Sequence, residues 1–168
     1  MRRQALIALL GVGAFVVGAL SLPMQRVLEV VDSDTSRAIL VATIREGESV
    51  ILRYLHSLYG GHVWEVLRAR GSLLVLEELE AEREAALEYY QVEGKVTNEN
   101  GRFRIGSLSL PVGEISVRAT GLGRRTLIWR GREIPLAGAG REGHLIRIQI
   151  SRRSLLWLLL RHLVSEVP

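Results

Sequence analysis

The sequence predicts a mainly β fold: a single β-sandwich or open-barrel-like domain that follows an N-terminal transmembrane helix. Two observations favour this fold class. An uncharged apolar run extends from Ala5 to Leu22 behind Arg2 and Arg3. After Pro23, roughly eight short runs of β-branched or alternating apolar residues are separated by turn residues, a spacing typical of sandwiches and barrels. The length of 168 residues is enough for one such domain.

The N-terminal segment, residues 1–23, is interpreted as a signal anchor or a signal peptide. Its apolar run of 18 residues is at the lower limit for crossing a hydrocarbon core of ~30 Å and is longer than the apolar region of most cleaved signals. Ala19-Leu20-Ser21 also offers small residues that a signal peptidase could use, so both alternatives stay open. Because basic residues remain in the cytoplasm, we expect a single-pass protein of the cell membrane whose domain is extracytoplasmic.

The strands of this domain, residues 24–150, are predicted from alternation and turn chemistry. Two strands, Val27 to Val31 and Ala38 to Ile44, are separated by the turn cluster Asp-Ser-Asp-Thr-Ser. A second pair of strands is joined at Arg70-Gly71 as a hairpin. Asn98 to Gly101 and Trp129 to Arg132 contain two further tight turns.

Two segments are predicted to be helical. The residues from Glu80 to Tyr90 are mostly good helix formers, so we expect one short internal helix there. The C-terminal amphipathic segment, residues 151–168, contains the apolar run Leu155 to Leu160, which is far too short to span a bilayer. This segment either packs on the sheet or lies at the membrane interface, with Trp157 and the arginines at the lipid headgroups.

Composition excludes several functions. The net charge of +4 includes Arg2 and Arg3, and the other basic residues are scattered among glutamates, so nucleic-acid binding is not expected. The absence of cysteine excludes disulfides, thiolate metal sites and thiol nucleophiles. No cofactor is predicted, because the glycine-rich stretches lack the ending that a phosphate-binding loop requires.

The candidate site is the stretch from Arg53 to Glu65. Its chemistry-bearing residues are the ligand or partner-binding candidates His56, Ser57, His62, Glu65, Arg53, Tyr54 and Trp64. His56 and Ser57 are adjacent on one strand and therefore point in opposite directions, which argues against a catalytic pair. His56, His62 and Glu65 are weak candidates for metal ligands, because their spacing matches no standard zinc motif. Otherwise His56 and Ser57 end a strand and bond to the loop.

The order "RYLHSLYGGHVWEVLRARGSLLVLEEL" and the later "ISVRATGLGRRTLIWRGREIPLAGAGREGHLIRIQI" resemble an uncharacterised family, domain-of-unknown-function family eighteen-fifty (DUF 1850). The resemblance covers roughly residues 39–150, and His56, Ser57 and Glu65 match the family's core. The family's glycine-rich segment after the leucine-rich strand is replaced here by "EYYQVEGKV". Family members are often encoded beside TAXI-type TRAP transporters, whose binding proteins capture small carboxylates. The resemblance therefore implies a transport accessory protein.

The sequence and the resemblance together favour a membrane-anchored, extracytoplasmic binding or accessory protein that is not an enzyme. Its expected partner is a TRAP transporter permease or the solute-binding protein of that transporter. Two alternatives stay open at this stage. One is an extracytoplasmic metal-dependent or hydrolytic enzyme that uses His56, His62 and Glu65. The other is a structural envelope protein.

Overall fold

The computed structural model describes residues 11, 15, 18, 24–138 and 140–165, with side chains up to residue 160. The expected transmembrane helix in residues 1–23 lies almost entirely outside this part of the chain. Among the described residues, none of the helices has both the length and the apolar character that a membrane span requires. The described part of the chain is mainly β, as the sequence predicted, and its strands form two sheets.

The first sheet is antiparallel, with the strand order β2-β1-β12-β9. Its strands are β1 Met24–Asp32, β2 Arg37–Thr43, β9 Glu114–Arg118 and β12 Leu145–Ser154. The first and last strands of the domain are neighbours, and their register pairs Met24 with Ser154. β12 therefore extends four residues beyond the expected domain boundary at residue 150.

The second sheet is also antiparallel, in the order β11-β10-β3-β4-β5-β7-β6, and β8 pairs with the first half of β5. Its strands are β3 Ser49–Leu55, β4 His62–Arg70, β5 Leu73–Ala81, β6 Val96–Glu99, β7 Arg102–Ile105, β8 Leu110–Val112, β10 Thr126–Trp129 and β11 Arg132–Pro135. The predicted hairpin at Arg70-Gly71 and the two other tight turns are confirmed. Asn100-Gly101 and Arg130-Gly131 each have positive φ at both positions, as two-residue hairpin loops require.

Two helices complete the described chain: α1, Glu84–Glu88, and α2, Leu155–Ser165. The internal helix is shorter than the predicted span from Glu80 to Tyr90, because β5 continues through Ala81 and pairs there with β4 and β7. Strand pairing therefore overrides the helix propensity of Glu80 and Ala81. α1 still buries Ala86 and Leu87.

One hydrophobic core joins the two sheets. Leu28, Ile146 and Ile148 of the first sheet and Leu52 and Leu67 of the second are at most 1% exposed and belong to one cluster. Side chains from the two sheets therefore cover each other.

The domain has two distinct ends. At the terminus-bearing end, β1 begins and β12 finishes, and the connection from β2 to β3 returns there, where the Ile44 amide donates to the Arg26 carbonyl. At the cavity end, β3 finishes, and the Leu55 amide donates to the carbonyl of Gly123 in the loop before β10. The loop from β3 to β4 and the start of α1 also lie at the cavity end.

Candidate functional site

The alternation of side chains in the β3–β4 hairpin divides the predicted residues between two faces. The register pairs Leu52 with Glu65 and Arg53 with Trp64. Leu52 is buried in the core, so Glu65 and Tyr54 point inward, whereas Arg53 and Trp64 point outward. The Arg53 guanidinium donates two hydrogen bonds to the Glu133 carboxylate, at 2.9 and 2.7 Å.

A cavity of about 470 Å³ opens at the cavity end of the domain. Tyr54, His56, Ser57 and Glu65 contribute to its lining, so the structure brings four of the seven candidates together. The same stretch of chain also contributes Leu52, Leu55 and Leu58. The rest of the lining comes from distant parts of the chain: Tyr89, Ile115, Val117, Thr120, Leu122, Gly123 and Arg125. The walls are therefore mostly apolar, and a few polar groups converge on the interior.

Glu65 is the carboxylate of the cavity lining. Its Oε1 accepts a hydrogen bond from the Tyr90 hydroxyl at 2.6 Å and a longer one from the Tyr54 hydroxyl at 3.3 Å. The two hydroxyls also contact each other, and because the Tyr54 hydroxyl has one proton, it donates either to Glu65 or to the Tyr90 oxygen. Burial raises the pKa of Glu65 above its ordinary value, although the two tyrosines and the positive charge of Arg125 oppose the shift. Burial and the nearby carboxylate raise the pKa of both tyrosines as well, so both hydroxyls keep their protons.

His56 stabilises the loop that closes the β3–β4 hairpin. Its Nδ1 accepts hydrogen bonds from the backbone amides of Leu58 and Tyr59, at 3.3 and 3.4 Å. A neutral imidazole that accepts at Nδ1 has its proton on Nε2, which makes Nε2–H a donor. His56 is only 8% exposed, and the centroid of its ring lies 5.1 Å from that of Tyr59 and 5.3 Å from that of Tyr89. The hypothesis that His56 bonds to its own loop is supported by these contacts.

His62 lies outside the cavity lining, on the first residue of β4. Its Nδ1 is 3.4 Å from the Glu82 carboxylate, which also accepts the His62 backbone amide at 2.7 Å. Its ring is 5.8 Å from the Trp64 ring. His56, His62 and Glu65 therefore do not share one site, and among the residues that the structure describes they do not form a cluster of metal-ligand atoms.

A different cluster, Asp32, Asp34 and His144, places possible metal-ligand atoms within 4.8 Å of one another. His144 Nδ1 lies 2.8 Å from Asp32 Oδ2, and Asp32 Oδ1 accepts the backbone amides of Asp34 and Thr35. The bond with His144 lowers the pKa of Asp32 to about 2. These contacts cap the β1–β2 turn and attach it to the start of β12. The cluster is thus accounted for by turn structure.

Sequence reasoning missed the distant contributors to the cavity. Arg125 follows one of the glycine-rich stretches, to which the sequence assigns no site, but its guanidinium lies 5.5 Å from the centroid of the Tyr54 ring. Tyr90 is the last residue of the predicted helical span, and its hydroxyl donates to Glu65 Oε1. The sequence does contain one signal for this site. The side chains of Val63, Glu65, Leu67 and Ala69 alternate along β4 and point inward, so a glutamate occupies a core position among apolar residues.

A second signal was the distribution of the tyrosines. The chain has four, Tyr54, Tyr59, Tyr89 and Tyr90, and each of them lines the cavity or contacts a residue that does.

No known protein-family model, curated protein or solved structure matches this chain. The resemblance to family eighteen-fifty stays a prediction.

Proposed function

We propose that this chain is a membrane-anchored, extracytoplasmic binding protein of β-sandwich architecture, and that its cavity holds a small solute. The main support for solute binding is the composition of the cavity, which has an apolar lining with a few polar groups that converge on the interior. A volume of about 470 Å³ is within the range of small-molecule sites. Binding, rather than turnover, accounts for the polar groups, because no nucleophile–base pair is formed within the described lining.

The polar groups of the cavity indicate what the solute must offer. The Nε2–H of His56 and the guanidinium of Arg125 are donors, the hydroxyls of Ser57 and Thr120 can donate or accept, and Glu65 Oε2 is an acceptor. The two groups that only donate, together with the positive charge of Arg125, fit a solute with an acceptor group such as a carboxylate. The leucine, isoleucine and valine side chains of the lining fit an apolar body attached to that group.

An accessory role beside a TRAP-type uptake system is part of the proposal. It is supported by the resemblance of residues 39–150 to the family eighteen-fifty, in which His56, Ser57 and Glu65 are matched. The rim of the cavity gives this role a contact surface. Leu58, Tyr89 and Leu122 are 70%, 64% and 72% exposed there. Three large exposed apolar side chains around one opening are typical of a surface that contacts a ligand or a partner.

Solute binding is tested with a set of small carboxylates with apolar bodies and the matching amides, using ligand-observed NMR on the full-length protein in detergent. We expect carboxylates to bind and Val117→Phe, which fills the cavity, to weaken binding at least tenfold. Ser116→Phe on the opposite face of β9 is the matched control and should bind as the unmodified protein does. Arg125→Gln should reduce the preference for acids over amides. Equal binding to the Val117→Phe variant would place the solute elsewhere.

The accessory role is tested by recovering the full-length protein from cross-linked membranes of its native cells and identifying the proteins that accompany it. We expect a permease or a solute-binding protein of a TRAP transporter. Recovery should be reduced by His56→Ala, which removes the side chain that holds the rim loop in place, and unchanged by His62→Ala, a control outside the cavity. If no transporter component is recovered, the accessory role is rejected, and solute binding is judged on the NMR result alone.

A further inference from the structure

We propose that α2 lies on the membrane surface beside the point where the N-terminal apolar segment joins the domain, so that the cavity faces away from the bilayer. This inference rests on the membrane anchoring in the proposed function. It adds a second contact with the lipid and a fixed orientation of the domain.

α2 begins close to the end of the N-terminal apolar segment. Met24 and Ser154 are directly opposite each other in the β1–β12 pair, and α2 begins at the next residue, Leu155. The backbone amide of Trp157 donates to the Ser154 hydroxyl at 3.2 Å, an N-cap that fixes the start of the helix to the end of the strand. Only Pro23 separates Met24 from the apolar run that ends at Leu22. If that run enters a bilayer, α2 starts within about 10 Å of the entry point.

The first six residues of α2 are all apolar. From residue 155 to residue 160 the helix reads Leu-Leu-Trp-Leu-Leu-Leu, so this stretch has no polar face. Leu159 and Leu160 are 47% and 53% exposed. A helical stretch that is apolar on all sides belongs in a core or in lipid rather than in water. With 11 residues, α2 is about 16 Å long, which is half the hydrocarbon thickness and suits a helix that lies in the interface.

Arginines surround the start of α2 at the terminus-bearing end. Three arginines at the terminus-bearing end form ion pairs: Arg26 with Glu46, Arg130 with Glu48, and Arg153 with Glu29. Arg45 and Arg152 add two positive charges to this group. Arg45 and Arg152 are both exposed. The Arg153 guanidinium lies 4.8 Å from the centroid of the Trp157 ring. A tryptophan and arginines beside an apolar helix are typical of the headgroup region, and anionic lipids attract such a surface.

The opposite orientation of the cavity follows from the strand directions. β3 starts at the terminus-bearing end and finishes at Leu55 in the cavity lining. Its seven residues span about 23 Å. When Leu159 contacts a bilayer, the rim leucines Leu58 and Leu122 are therefore expected to lie in water, at a distance from the lipid.

The absence of cysteine makes the test direct, because single cysteines can be introduced for labelling. Full-length Leu159→Cys and Leu122→Cys variants carry an environment-sensitive fluorophore. They are reconstituted in phosphatidylcholine vesicles with or without phosphatidylglycerol, and quenching by lipids with nitroxides on the acyl chains is measured. Both positions are exposed, so both variants should fold. We expect several-fold stronger quenching at position 159 than at position 122, and a larger difference with the anionic lipid.

The possible results distinguish membrane binding of the protein from the placement of α2 on the membrane. Flotation of the vesicles shows separately whether the protein is membrane-bound. A protein that floats but has equally weak quenching at both positions overturns the placement of α2 and leaves the anchoring intact. A protein that does not float overturns both. Strong energy transfer between labels at position 159 without lipid quenching would mean that a second copy covers α2, which also overturns the proposal. A Leu160→Cys variant provides an independent reading of the same helix.

Discussion

At the residue scale, Glu65 is the most informative side chain of the molecule. It occupies a core position of β4, opposite Leu52 on one side and Leu79 on the other, and both leucines are at most 1% exposed. A carboxylate at such a position costs free energy unless it is hydrogen-bonded. Tyr54 and Tyr90 satisfy one of its oxygens and leave the other for the cavity. The arrangement therefore favours an interaction at the cavity over a role in packing.

The raised pKa of Glu65 gives a signed prediction for stability. Because the folded state holds this proton more tightly than the unfolded chain, Glu65 contributes its full stabilisation below the ordinary value of 4.5. That contribution is lost as the pH rises from 4.5 through the folded-state pKa. Glu65→Gln keeps the shape and the acceptor but cannot titrate. We expect the free energy of unfolding, measured with urea between pH 4 and pH 8, to fall less steeply for Glu65→Gln than for the unmodified protein.

Asp32 does not obscure this measurement, because its pKa is lowered to about 2 from an ordinary value of 3.8. Its stabilisation is complete above 3.8 and is lost as the pH falls toward 2, outside the range studied. Glu133→Gln, at the exposed partner of Arg53, is the control and should have the slope of the unmodified protein between pH 5 and pH 8. Parallel slopes for the Glu65→Gln variant and the unmodified protein would contradict the assignment.

At the scale of elements, local chemistry was readable from the sequence and long-range assembly was not. The hairpin turns at Gly71-Ser72, Asn100-Gly101 and Arg130-Gly131 were predictable to within one residue because a two-residue turn is specified by its own residues. The end of β5 was not, because its pairing with β7 involves residues more than 20 positions later in the chain. Tyr90 bonds to Glu65 and Arg125 lies over the Tyr54 ring for the same reason: only the folded sheets bring them together.

The loop between α1 and β6 contains a close approach that makes another prediction. A Cβ at Gly94 would overlap Cγ2 of Ile105, which is a β-branched residue and only 3% exposed, so it has little freedom to move. Gly94→Ala is expected to lower the free energy of unfolding by about 1–3 kcal/mol in urea titrations. Gly113→Ala is the matched control, because a Cβ there meets no atom within 4 Å. A Gly94→Ala variant as stable as Gly113→Ala would show that the loop does not pack on β7.

At the scale of the whole molecule, the two ends have different chemistry. The terminus-bearing end combines arginines with the apolar helix α2, whereas the cavity end combines the tyrosines with His56, Arg125 and the exposed apolar rim. The core between them connects the two sheets, so the position of one end is rigidly related to the position of the other. If the domain is anchored as proposed, its cavity lies at a fixed distance from the membrane surface.

The shared core predicts that the two sheets unfold together. Ile148 lies on β12 of the first sheet, is fully buried, and belongs to the same cluster as Leu52 and Trp129 of the second sheet. Ile148→Ala should therefore lower the free energy of unfolding by about 2–5 kcal/mol, and Ile148→Val by about 0.5–1.5 kcal/mol. In a Trp157→Phe background, fluorescence comes from Trp64 and Trp129, both in the second sheet, while far-ultraviolet circular dichroism reports both sheets. We expect the two signals to shift by the same amount, because a cavity at Ile148 removes contacts from both sheets. A shift in circular dichroism with unchanged fluorescence would mean that the sheets unfold as independent units.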